Sequence, residues 1–195
     1  MVLHGEIGSA PKPPGTDGIW TFVFIDMIVF SLFFIVYLSE RLRLPDVFAA
    51  SQSRLDPNFG LVNTLVLLTS SLFMAEAVAA ARTGNAVRVR TRLALALGCG
   101  AMFGVSKITE YSEKFAAGIT PVTNSFYSFY FLLTMIHFLH VLVGMMFIAH
   151  CLSRARIEAG QPGFLPKLEN TGLFWHFVDL LWLFLFPLLY LAGLK

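Results

Sequence analysis

The sequence predicts an all-α fold, an integral membrane bundle of five transmembrane helices, and three observations predict it. Apolar residues make up 56% of the 195 positions and charged residues only 13%. A soluble domain carries about 25% charged residues, so the solvent around this chain is not water. Five apolar stretches each reach the roughly 20 residues a helix needs to cross the hydrocarbon core. The segments between them are rich in turn formers or charge, and none is long enough for a soluble domain. An open sheet could not satisfy its backbone in lipid, which leaves a helix bundle.

Residues 1–17 are polar and rich in Pro and Gly. They hold no apolar core ahead of a small-residue cleavage site, so they read as a flexible cytoplasmic tail and not as a signal peptide. The spans follow as one domain over residues 18–195. They run about Gly18–Ser39, Phe59–Ala81, Thr91–Tyr111, Ser125–Leu152 and Thr171–Leu194. The separators Arg41–Asp46 and Glu158–Gly163 read as turns. Span three carries Ala96, Gly100 and Gly104 at spacing four, a stripe that lets helix backbones approach closely and predicts a central place for that helix. Pro187 predicts a local bend in the last span.

Lys and Arg in the loops set the orientation. Lys12, Arg82, Arg88, Arg90, Arg92, Arg154, Arg156 and Lys167 fall on one side, and Arg41, Arg43, Arg54, Lys114 and Lys195 on the other. Eight against five places the N-terminus in the cytoplasm and the C-terminus outside. The net charge of +2 is too small and too dispersed for a nucleic-acid partner. Cys99 and Cys151 lie on different spans without metal spacing and read as buried hydrophobes.

Ionisable groups inside a membrane span are expensive, so each is a functional candidate. Asp26, Glu76, His176 and Asp179 come from three helices and fall at one level, about 8–12 Å from the inner end at 1.5 Å of rise per residue. His140 on span four is somewhat deeper and within reach. Lys107 and Glu110, three apart near the outer end of span three, are placed to pair within their helix, with His137 as the nearest partner from another helix. Two readings of the inner group stand side by side. In one, the groups are hydrogen bonds that fix the bundle. In the other, Asp26, Glu76, His140, His176 and Asp179 take up protons or contact a partner that moves them. His140 and His176 are also spaced to face each other as haem ligands, a rival reading.

Four segments resemble, in order, the subunit III family of haem–copper (cytochrome c) oxidases. Trp175-His176-Phe177-Val178-Asp179-Leu180-Leu181-Trp182 resembles the signature of the family's last helix. Asn63–Ser71 resembles its NT-x-x-LL-x-S segment, Glu110-Tyr111 its EY pair, and His137–Gly144 its H-x-x-HV-x-x-G segment. The opening Gly18-Ile19-Trp20 and Phe24-Ile25-Asp26 fits the start of the shared core. The resemblance implies a non-catalytic accessory subunit that binds no cofactor itself, in a bacterial inner membrane. It implies a catalytic partner subunit holding haem and copper, further respiratory-complex subunits, membrane lipids including phospholipid, and support of stability and inner-side proton uptake. It maps the family's first-helix carboxylate onto Asp26 and its Trp-His-x-x-Asp onto Trp175, His176 and Asp179. Asn63, Lys107, Glu110, His137 and Trp175 form the expected structural polar network.

The departures are the lack of two further N-terminal helices, Asp at position 26 where Glu is usual, and Lys at 107 where Gln is common. Lys107 and the short chain resemble the E-type accessory proteins of bacterial nitric-oxide reductase, which stand as the alternative. A proton-coupled transporter using Asp26, Glu76 and Asp179 is a rival from another class. The chain shows no internal repeat or matched helix breaks of the kind transporters use.

Overall fold

The structure, a computed structural model, describes residues 14–191. Its helices are α1 (Asp17–Arg43), α2 (Pro45–Gln52), α3 (Pro57–Arg82), α4 (Ala86–Ala116), α5 (Ser125–Glu158) and α6 (Phe164–Phe186), the last continuing into a π-helical turn, Pro187–Leu191. Five of them are long and apolar enough to cross a membrane. The described chain is thus a multi-pass helical protein.

Side-chain chemistry sets the helix starts. Pro45 and Pro57 occupy first-turn positions, where no N–H partner is needed. The Asp56 carboxylate accepts from Asn58 N at 2.9 Å, and Asn85 and Asn124 cap α4 and α5 in the same way at 3.0 Å. Gly84 closes the turn between α3 and α4 at a φ of 68°, a conformation that favours glycine.

The helices overrun the expected spans. α5, at 34 residues, is about 51 Å long and projects beyond a hydrocarbon core of about 30 Å. α6 begins at Phe164 and not at Thr171, because Pro166 sits in the first turn and interrupts nothing. The Arg41–Asp46 turn is helical as far as Arg43, and α2, which the turn signals concealed, follows one residue later. The Thr16 N–H donates to Asn170 Oδ1 at 2.9 Å and Trp20 Nε1 donates to the Pro14 carbonyl at 3.0 Å, so the chain is tied down from Pro14. Residues 1–13, with Lys12, and residues 192–195, with Leu194 and Lys195, lie outside the described part.

Helices α3, α4, α5 and α6 form a closed ring in which each packs on the next, while α1 leans on α5 and α6 from outside. α4 is therefore one wall of the ring and not its centre. The small-residue stripe serves a side chain. A Cβ on Gly100 would stand 3.0 Å from the Trp175 ring and 3.1 Å from Met145, and one on Gly144 would stand 2.6 Å from the same ring. Trp175 thus lies between α4 and α5, both notched by glycine to admit it. The outward positions, such as Phe24, Ile35 and Val105, are apolar and exposed, as a lipid-facing surface requires.

Candidate functional site: the polar groups inside the bundle

α3 and α6 run antiparallel in a register set by hydrogen bonds. Trp175 Nε1 donates to Ser70 Oγ at 3.1 Å, and Ser70 in turn donates to the Ala96 carbonyl at 2.8 Å. Trp182 Nε1 donates to Thr64 Oγ1 at 3.0 Å, and Thr64 donates to the Gly60 carbonyl at 2.8 Å. Beside the first of these rungs Ser71 Oγ lies 2.5 Å from His176 Nδ1. Asp179 is 5% exposed, and its Oδ2 has no hydrogen-bond partner.

The residues expected at the inner level are divided among separate partners. Asp26 pairs with His140, Oδ2 to Nε2 at 3.3 Å. His140 Nδ1 lies 2.8 Å from the Ile136 carbonyl. A carbonyl only accepts, so Nδ1 carries the hydrogen. Glu76 joins neither group. It pairs with Arg92 Nε at 3.0 Å, and that guanidinium lies over the Phe73 ring. Helix depth is a matter of counting residues, whereas rotational phase sends these groups to different faces. His140 and His176 are likewise held by different partners, Asp26 and Ser71.

On the other side of the membrane Lys107 is 0% exposed. It donates to Glu110 Oε2 at 2.7 Å and to the Tyr190 hydroxyl at 3.1 Å, and that hydroxyl donates to Glu110 Oε1 at 2.7 Å. The Tyr111, Tyr130, Trp182 and Tyr190 rings stand 5.2–5.7 Å from the ammonium. The Lys107–Glu110 pair forms as the spacing requires, but its third member is Tyr190 and not His137. His137 is fully buried beside Trp182 at 5.3 Å and Phe103 at 5.7 Å, with neither ring nitrogen hydrogen-bonded. Asn63 is 1% exposed, and its amide nitrogen likewise has no partner. The expected structural network is thus divided: Trp175 and the Lys107–Glu110 pair have separate partners, while Asn63 and His137 keep unpaired nitrogens.

Tyr190 reaches the cage because the π-helical turn brings it round, and that turn frees carbonyls. Gln52 of α2 donates to the Leu188 carbonyl at 3.0 Å and Tyr37 of α1 donates to it at 3.1 Å. Neither was a candidate from sequence. The only available signal was Pro187, whose missing N–H breaks the helical ladder.

These features define a helical membrane protein with buried polar groups, several of them hydrogen-bonded across helices. A family model described as cytochrome c oxidase subunit III matches residues 16–194. The chain belongs to the cytochrome c oxidase subunit III family. It is 30% identical over 184 residues to the quinol oxidase subunit 3 of Bacillus subtilis, covering 91% of this chain and 86% of the relative. It is 31% identical over 179 residues to the cytochrome bo(3) ubiquinol oxidase subunit 3 of Pseudomonas putida, covering 90% and 84%. A cytochrome c oxidase subunit 3 of Synechocystis is 31% identical over 179 residues, covering 89% and 74%. Subunit III of these oxidases is an accessory subunit and does not bind the cofactors.

Proposed function

We propose that this chain is the accessory subunit III of a haem–copper respiratory oxidase in a bacterial inner membrane, seated beside the catalytic subunit that carries haem and copper. The family match over nearly the whole chain carries this reading. The relatives named above are oxidase subunits, which favours the oxidase over the nitric-oxide-reductase alternative. The Lys and Arg bias supports a cytoplasmic N-terminus and an external C-terminus. Phospholipid and the complex's other subunits are the further partners. On this reading Asp26, Glu76, His140, His176 and Asp179 lie on the cytoplasmic half, where they support proton uptake by the catalytic subunit or contact it. The pairings described above support a second role, holding the bundle in the shape its partner meets.

A strain lacking this chain tests the reading. The remaining oxidase is expected to keep its haem spectrum and initial activity but to lose activity faster during turnover, and addition of the chain to restore it. A haem signal that stays with this chain when it is purified alone would overturn it.

A further inference from the structure

We propose that Asp179 is a proton-exchanging carboxyl group, reached from the N-terminal side of the membrane through His176 and Ser71. A cavity of about 250 Å³ opens between α3 and α6, lined by Arg82, Glu169, Leu173 and His176 among others. Water occupies about 30 Å³ per molecule, so several fit. The mouth is polar, for Arg82 pairs with Glu169 at 3.0 Å. His176 forms part of the wall and is half-buried. Its Nδ1 is held by Ser71 at 2.5 Å, and Asp179, three residues further along the same helix, is buried with Oδ2 unpartnered.

A serine hydroxyl has one hydrogen and two lone pairs, so Ser71 can accept from the imidazole while donating to the carboxylate. One proton from a cavity hydronium binds His176 Nε2. The Nδ1 hydrogen passes to Ser71 Oγ, and the Ser71 hydrogen passes to Asp179. The hydronium becomes water, Asp179 becomes a carboxylic acid, and His176 is left neutral in its other tautomer. No charge stays on Ser71. The transfer needs both ring nitrogens free to change roles, and His176 meets that need. His140 does not, because its Nδ1 is committed to the Ile136 carbonyl and its cavity is lined by apolar side chains such as Phe22, Leu139 and Phe174. Glu76 is held by Arg92. The inlet is thus specific to the α3–α6 seam, and only its use in turnover rests on the proposed subunit role.

Deuterium exchange followed by infrared spectroscopy on the purified complex tests it. The Asp179 band is identified as the one missing in Asp179→Asn. Wild type is expected to exchange this group readily, and Ser71→Ala and His176→Phe to slow it about a hundredfold, the scale of a positioned proton-transfer group. Leu173→Trp, which fills the cavity and leaves the relay intact, is expected to slow it too. Unchanged exchange in Ser71→Ala and Leu173→Trp, or a wild-type group that does not exchange, would overturn the inlet. Slowed exchange with undiminished oxidase turnover would keep the inlet and remove its role in proton uptake.

Discussion

Lys107 and Asp179 are both buried charge-bearing side chains on membrane helices, yet their surroundings are opposite. Lys107 is enclosed by four aromatic rings, with a carboxylate and a phenol completing its hydrogen bonds. Asp179 keeps an oxygen without a partner, and one serine and one histidine separate it from a cavity. Burying an ion is tolerated where it is fully answered, and an incompletely answered group marks a place where water or a proton can come and go. The Lys107 site is therefore sealed by its partners, while Asp179 lies near the cavity along the α3–α6 seam.

Breaking the sealed site gives the largest expected effect. Lys107→Met leaves the Glu110 carboxylate buried without its counter-charge, at a cost of about 3–5 kcal/mol. Lys107→Met combined with Glu110→Leu is expected to recover much of that loss, and thermal unfolding of the purified complex measures both. Next comes Gly144→Ala, whose Cβ would stand 2.6 Å from the Trp175 ring. Overpacking of this kind costs about 1–3 kcal/mol, read as a lowered midpoint in the same assay. Gln52→Leu removes one of the two donors to the Leu188 carbonyl and the donor to the Leu189 carbonyl, and is expected to cost about 1–2 kcal/mol. Its effect on hydrogen exchange should be concentrated in the π-helical turn. Trp182→Phe loses one bond to Thr64, but the threonine keeps its bond to Gly60, so a loss of about 0.6 kcal/mol is expected. Arg82→Ala, at the exposed cavity mouth, should cost less than about 1 kcal/mol and leave subunit content unchanged.

Much of this was legible in the sequence. Hydropathy and loop charge reveal the spans, because lipid leaves the backbone only one economical shape. The Lys107–Glu110 pair follows from a spacing of three, since both residues share one helix. Counting residues gives only an expected depth for Asp26, Glu76, His176 and Asp179. Their division does not follow from it, because which face of a helix meets which neighbour depends on packing between segments far apart in the chain. The place of Tyr190 in the cage depends on π-helical winding that Pro187 signals only as a break. α2 escaped notice because eight residues between turn formers carry too little periodicity to read. Gly100 and Gly144 were legible as small residues, but not as the two notches around one tryptophan.

The most direct test of the account is a gentle-detergent purification through a tag on this chain, followed by mass spectrometry and an absorption spectrum. The expected result is co-purification of haem–copper oxidase subunits, with every haem band assigned to the catalytic subunit. A chain that purifies alone with a haem band of its own would contradict the account.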